Sequence, residues 1–323
     1  MPAPTVLVLH DGTAPSGPSI DEVEKLAHVV YTDENELAQH IGAADALFAY
    51  HFTSDALTGV LDRAERLQWI HVAAAGVDPF MTPQVRRSEI TVTNSRGVFE
   101  HAIAEYVLGQ ILSFAKDFPG SLRRQQDHHW DHRESERVAG TRAVVVGTGP
   151  IGRAIAQLLQ RAGLKVSGSG RRERTEDPDF GTVCAQQDLP EALAQADWVV
   201  FAAPLTESTR GMLNADLLAA MQPSTRVVNV GRGELIVTDD LVEALRSGTI
   251  AGAALDVVDP EPLPAEHPLW DMPQVMITPH NSGDFVGWRE ALVEVFEENL
   301  RHWVADRPLH NVVDKELGYV PGS

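Results

Sequence analysis

Arg142-Ala-Val-Val-Val-Gly147-Thr-Gly149-Pro150-Ile151-Gly152 is the stretch whose reading decides the fold. An apolar run leads into a G-x-G-x-x-G turn that opens a helix, the context in which this spacing carries meaning. Gly147 allows the tight turn, Gly149 lets backbone approach a pyrophosphate, and Gly152 lets the helix lie close to the strand. The N–H groups near Pro150 and Ile151 then face the anion. The stretch therefore reads as a dinucleotide site at the start of a parallel α/β domain.

The end of the next strand bears on which dinucleotide. A site for NAD usually places an acid there to accept bonds from the ribose 2′-hydroxyl. Val166-Ser-Gly-Ser169-Gly170 reaches that point without one, and Arg171-Arg172 follow at once. A carboxylate would repel a 2′-phosphate, whereas guanidinium groups bind it with charge-assisted bonds. NADP(H) is expected, with NAD(H) as the alternative; the competing reading is a solvated basic turn that Glu173 and Glu176 partly offset.

Working outward, residues 164–169, 198–202, 226–230, 250–256 and 275–278 are further strand candidates, and 239–248 carries helix signals ending at Gly248. Continuous apolar strands between helices imply a parallel sheet covered on both faces. Upstream, strand candidates 5–9, 46–49, 69–72 and 90–93 alternate with helical patterns near 21–28, 34–43 and 54–63, which reads as a second, smaller α/β domain. From Glu100 the period changes: Ile103, Tyr106, Val107, Ile111, Phe114 and Phe118 fall on one face of a long helix, followed by a polar, His-rich arm from Gln125 to Arg137. A last helical pattern near 287–304 turns Leu292, Val295, Phe296, Leu300 and Trp303 to one side.

Composition bounds the rest. A chain of 323 residues with 43 % hydrophobic content suits two globular domains. A net charge of −20 argues against nucleic acid. No apolar run reaches membrane-spanning length, and no basic-then-apolar leader opens the chain, so a membrane role is not expected. The single cysteine, Cys184, reads as a buried structural thiol, and the cytoplasm as the compartment.

Three residues further down the chain sit in settings that suit chemistry: Arg232 in Asn229-Val230-Gly231-Arg232-Gly233, Glu261 in Asp259-Pro-Glu261-Pro, and His280 after Thr278-Pro279. Reduction of a 2-keto acid needs a grip on the carboxylate and a proton for the carbonyl oxygen. Arginine matches the carboxylate with a planar fork, and Arg232 follows an apolar strand, at the end where such sheets bind ligands. His280 suits the proton donor, and Glu261 would hold one ring nitrogen and favour the imidazolium. Each alone would more often be structural; the three together, in this order and context, point to this chemistry.

At this point the chain resembles the D-isomer-specific 2-hydroxyacid dehydrogenases over nearly its whole length. Gly76-Val-Asp78, the glycine fingerprint, Ala203-Pro204-Leu-Thr206, Asn229-Val-Gly-Arg-Gly233, Ala254-Leu-Asp256-Val and Pro279-His280 match in order. The arginine pair, Asp259-Pro-Glu-Pro-Leu-Pro264 and His267-Pro-Leu269 resemble the NADP-dependent glyoxylate/hydroxypyruvate reductases. The resemblance implies two Rossmann-like, doubly wound parallel-sheet α/β domains with the active site in the cleft between them: a discontinuous substrate domain at 1–100 and 287–323, and a dinucleotide domain at 101–286. It implies Arg232, Glu261 and His280 as the catalytic set, backbone at Ala75 and Gly76 on the substrate carboxylate, and cofactor contacts at Val230, Gly231, Asp256 and Gly283. It further implies D-stereochemistry, a small 2-keto or 2-hydroxy acid as substrate and a homodimer through the long helix. A dinucleotide-sensing corepressor on the same fold is the alternative from another class.

Two departures stand out. Gly231 occupies a place where Ser or Ala is common, a change expected to be harmless, and His101 replaces a small or aliphatic residue, which puts the local packing in doubt. Among smaller signals, His128, His129 and His132 have metal-like spacing but lack a further ligand, so no metal is expected. Trp130 is expected to pack simply, with a reach into a partner's site as the sharper alternative. Tyr50, His51 and His71 either shape the substrate pocket or are satisfied structural groups.

Overall fold

The computed structural model describes residues 3–321, which separate into two compact units. The first comprises residues up to Phe99 and from Phe285 onward; the second is Glu100–Asp284.

The first unit is built on β1 (Thr5–Leu9), β2 (His28–Thr32), β3 (Ala46–Ala49), β4 (Trp69–Val72) and β5 (Thr91–Asn94). They form one parallel sheet in the order β2-β1-β3-β4-β5. The central strands are apolar on both faces because helices cover both, and Leu7, Leu47, Ile70 and Val92 are buried in its core. The sequence pattern missed β2, whose residues are mostly half-buried at the sheet edge. The helical pattern at 54–63 resolves into two short 3₁₀ turns, Ala56–Gly59 and Leu61–Arg63.

The helix Trp288–Val304 buries Leu292, Val293, Phe296 and Leu300 in this unit; Val293 takes the place expected of Val295, which is half-buried. Phe296 stacks on Phe48 at 4.2 Å between ring centres, and Trp69 and His71 complete an aromatic nest. His71 is fully buried, and its hydrogen bonds have one consistent direction. Trp69 Nε1 donates to Thr93 Oγ1 at 2.8 Å, and Ser95 Oγ donates to the Val72 carbonyl at 3.2 Å. Thr93 is then free to donate to His71 Nδ1 (2.8 Å), and His71 Nε2 donates to Ser95 Oγ (3.2 Å). A neutral ring satisfies every member of this chain, and burial holds the His71 pKa down at about 3. His71 is therefore a satisfied core group.

That has a pH consequence. An unfolded histidine takes up a proton below about pH 6.5, whereas folded His71 stays neutral down to about 3. Between those values the unfolded state binds more protons, so stability falls as pH falls, by roughly 1.4 kcal/mol per pH unit from this group. Urea melts of the wild type and His71→Gln between pH 6 and 4 should show the steeper loss in the wild type. Parallel losses would refute the assignment.

The second unit holds β6 (Arg142–Val146), β7 (Lys165–Gly170), β8 (Arg174–Asp177), β9 (Gly181–Ala185), β10 (Trp198–Phe201), β11 (Arg226–Asn229), β12 (Gly252–Leu255) and β13 (Val275–Ile277). Their order is β13-β12-β11-β10-β6-β7-β9-β8, parallel throughout except for β8, which runs antiparallel to β9. The chain moves outward from β6 to one side and returns to β10 on the other. The order thus reverses between β6 and β10, the place where doubly wound sheets bind ligands. The polar β8–β9 edge carries no apolar pattern, and the sequence reading missed it. Cys184 lies on β9 and is half-buried, not buried as expected.

The long helix runs Glu100–Ala115, shorter than its apolar pattern. Asp117, at φ 48°, ends it and caps a second helix, Phe118–Gln126, by accepting the Gly120 N–H. Phe118 therefore belongs to the second helix and is exposed. His101 points to solvent, which removes the packing doubt. The arm after Gln126 is exposed; Trp130 is 97 % accessible, so the expected packing within its own chain is absent.

Candidate active site and dinucleotide cradle

The carboxyl ends of the strands in the second unit approach one another through residues without side chains. At Gly147 (φ 108°) a Cβ would sit 2.6 Å from the backbone of Ala202 and Ala203, at the end of β10. At Gly152 it would sit 1.9 Å from the Gly147 carbonyl oxygen, which explains the close helix–strand packing. Gly149, by contrast, has nothing within 4 Å of that position, leaving open space above the turn. Gly149 is the N-cap of the helix Pro150–Arg161. Pro150 has no N–H to offer, so the donors at this terminus are the amides of Ile151 and Gly152, unpaired within the helix as first-turn amides are. Open space facing such amides fits a pyrophosphate.

Gly170 ends β7, with Thr148 Oγ1 3.1 Å from its Cβ position, and the exposed Arg171 and Arg172 follow. Beyond them lies a cluster the sequence reading missed. Arg153 bonds Asp177 (3.0 Å) and Asp179 (2.6 Å), and Arg174 bonds Asp177 (3.0 Å). Burial would raise the Asp177 pKa, but the arginines and backbone N–H groups prevail and hold it at about 2. Asp177 and Asp179 are thus already paired with Arg153 and Arg174.

Across the sheet, Ala203 and Val230 are buried and Pro204 is exposed. A Cβ on Gly231 would lie 2.9 Å from the Ala203 carbonyl oxygen and 2.7 Å from Leu235 Cδ1. The strand ends thus close up on this glycine, and the packing around it is built for a residue without a side chain. The Arg232 turn is fixed by buried Asn229, which accepts the Gly231 N–H (3.1 Å) and donates to the Arg232 carbonyl (2.9 Å). Arg232 Nη1 also donates to the Gly231 carbonyl at 2.8 Å. At Gly233 a Cβ would fall 2.0 Å from the Val258 carbonyl oxygen, so the Arg232 turn lies directly on the loop that carries Glu261.

Glu261 Oε1 meets His280 Nδ1 at 2.7 Å. Burial works to raise the Glu261 pKa, but the His280 bond, His280 charge, the Val258 N–H and the Arg232 charge lower it overall. An ionised carboxylate only accepts, so Nδ1 donates and Nε2 is left for another partner. His280 itself stands in the left-handed region at φ 52°. Asp256 holds that shape: its carbonyl accepts the His280 N–H (2.9 Å), and its carboxylate accepts Thr278 Oγ1 (2.6 Å) and the N–H groups of Asn281 and Ser282 (both 3.0 Å). Tyr106 OH lies 2.6 Å from Thr278 Oγ1, extending the support to the long helix. Asp256, directly after β12, thus supports the His280 loop from the neighbouring strand end, and Asn229 and Tyr106 are supports whose bonds the sequence reading did not foresee.

In the first unit, the loop after β4 holds the half-buried Ala75 and Gly76, with Asn94 Nδ2 donating to the Ala75 carbonyl at 2.6 Å. A hollow lined by Leu61, Leu67, Gln68, Ile90 and Trp303 lies instead at the amino ends of β4 and β5, away from where parallel sheets bind ligands.

The family model described as D-isomer specific 2-hydroxyacid dehydrogenase, NAD binding domain, matches residues 108–282. An uncharacterised protein of Corynebacterium melassecola is 35 % identical over 80 % of this chain and 86 % of its own. A glyoxylate reductase of Thermofilum pendens is 31 % identical over 82 % and 80 %. Among solved structures, an NADPH-dependent glyoxylate/hydroxypyruvate reductase of Sinorhizobium meliloti, in complex with NADP and sulfate, superposes with a TM-score of 0.82 at 26 % identity, covering 98 % of this chain and all of its own (100 %). The chain belongs to the D-isomer-specific 2-hydroxyacid dehydrogenase family, NAD(P)-dependent oxidoreductases of two-domain Rossmann-type fold.

Proposed function

We propose that this protein reduces a small 2-keto acid to the D-2-hydroxy acid with NADPH. The observation that carries the reading is the 2.7 Å His280–Glu261 pair, whose carboxylate also feels the Arg232 charge. Arg232 grips the substrate carboxylate, together with backbone at Ala75 and Gly76. His280 gives its Nε2 proton to the carbonyl oxygen as it becomes a hydroxyl, while Glu261 holds the ring and stabilises its charged form. The dinucleotide, when bound, supplies hydride to C2. The Gly149 opening and the Ile151 and Gly152 amides hold its pyrophosphate, Arg171 and Arg172 take the 2′-phosphate, and Ala203, Pro204, Val230, Gly231, Asp256 and Gly283 line its path. Residues 1–100 with 287–323 act as the substrate domain and 101–286 as the dinucleotide domain. The basic turn without an acid and the NADPH-dependent Sinorhizobium meliloti neighbour support the cofactor preference.

Initial rates with NADPH and NADH, over 2-keto acids from glyoxylate to phenylpyruvate, test this. NADPH should be favoured at least about tenfold, or about 1.4 kcal/mol, and Arg171→Ala/Arg172→Ala should remove most of that margin. A preference for NADH would sink the 2′-phosphate argument and leave the reductase. Cofactor binding without turnover on any acid would favour the corepressor reading.

The same reading includes a cytoplasmic homodimer, in which a second copy covers the exposed Phe118, Leu122 and Trp130. A light-scattering mass of one chain would overturn it.

A further inference from the structure

Outside the catalytic set, the first unit gathers a group of metal-competent side chains. Glu298 and His302 lie one turn apart on the helix Trp288–Val304, and the chain doubles back to bring His310 beside them. One donor atom of each lies within 4.8 Å of the other two. None of the three serves the site described above.

The arrangement is fixed by the fold. Asn299 is fully buried, donates to the His310 carbonyl at 3.2 Å and accepts the His310 N–H at 2.7 Å. His310 is thereby pinned to the helix by its backbone, whatever its ring does. His302 Nδ1 donates to the Pro308 carbonyl at 2.7 Å, which leaves the lone pair on Nε2. A carbonyl on the far nitrogen is the usual support of a metal-ligating imidazole, because it sets the tautomer and raises ligand basicity. The two rings stand 4.5 Å apart, tilted by 53°, and His310 Nε2 is 3.8 Å from Glu298 Oε1.

We propose that Glu298, His302 and His310 bind one divalent transition-metal ion of the zinc class. Two imidazoles and a carboxylate form a borderline donor set that suits zinc, nickel or copper and disfavours calcium and magnesium. A tetrahedral ion with bonds of about 2.0–2.1 Å holds its donors about 3.4 Å apart, so modest rotation of the exposed Glu298 and His310 side chains closes the gap. Water takes the fourth position. The ion clamps the end of the last helix to the segment that follows it. That segment continues to Val312 and Val313, which pair with Thr93 and Val92 on the β5 edge. The role is structural and independent of the keto acid chemistry.

The full-length protein is titrated with ZnCl₂ by calorimetry, and its melting is followed with and without the metal. One ion per chain and a saturable rise in Tm are expected, since an ion that binds only the folded state stabilises it. His302→Gln and His310→Gln should each weaken binding by at least about tenfold, because losing even an outer-shell partner costs about 10–100-fold. A His128→Gln/His129→Gln/His132→Gln variant should bind as the wild type does. Co²⁺ in place of zinc should give visible absorption bands that His302→Gln removes. No Tm rise in the wild type, or a rise that survives both His302→Gln and His310→Gln, overturns the site.

Discussion

His280→Ala should lower kcat for 2-keto acid reduction by about 10²–10⁴, the usual contribution of a placed general acid, while cofactor affinity stays unchanged. The ring is held at Nδ1 by Glu261 and through its backbone by Asp256, so its removal takes away a proton donor and disturbs little else. The expected result is therefore a kcat effect at near-constant Kd for the dinucleotide, read by initial rates and by fluorescence titration. Glu261→Gln should fall between wild type and His280→Ala. It keeps an oxygen to accept from Nδ1 but loses the charge that stabilises the ring once protonated. If His280→Ala retained turnover within a few-fold of wild type, the proton would have to come from elsewhere and the proposed role would fail.

Gly233→Ala should damage stability and chemistry together. A Cβ there would lie 2.0 Å from the Val258 carbonyl oxygen, 2.1 Å from its carbon and 2.7 Å from the Asp259 nitrogen. All three are backbone atoms, so no rotamer change relieves the overlap and two loops must separate. One carries Arg232 and the other Glu261, so the relief moves the carboxylate grip away from the histidine's partner. Overpacking of this kind costs about 1–3 kcal/mol and occasionally more; rigid backbone on one side puts Gly233 at the upper end. Urea midpoints should fall accordingly, and kcat/KM should drop with them. Gly149→Ala is the informative contrast, since nothing lies within 4 Å of its Cβ position. It should leave urea stability nearly unchanged and weaken dinucleotide binding. Equal stability of Gly233→Ala and wild type would show that the loops yield easily.

What the sequence revealed and what it hid divide along physical lines. The buried parallel strands were legible because both faces are apolar: 46–49 and 69–72 match the observed β3 and β4 residue for residue. The edge strands β2 and β8 were not, because half their surface faces water and nothing in their composition marks them. The long helix was overextended through Phe118 because apolar periodicity continues past the break; Asp117, in a left-handed conformation, sets the boundary locally. Residue type and context pointed to Arg232, Glu261 and His280, and the structure brings Glu261 and His280 into contact. The Tyr106 support was illegible because it acts through a contact made by folding, Tyr106 and Thr278 being 172 positions apart. The Glu298–His302–His310 group escaped for the same reason, since His310 comes back to the helix through the Asn299 clamp and the His302–Pro308 bond, which form on folding.

The exposure of Arg171 and Arg172 bears on how the proposed cofactor preference behaves outside the test tube. Charges facing water lose their influence as ions gather, with a screening length of about 10 Å at 0.1 M salt and about 3 Å at 1 M. On a chain of net charge −20, the attraction of the two guanidinium groups for a phosphate also competes with the repulsion of the whole molecule. Selectivity for the phosphorylated dinucleotide would then vary with ionic strength. Two laboratories using different buffers would report different ratios for the same protein, and a cell that accumulates salt would shift electron supply from one nicotinamide pool toward the other without changing a residue.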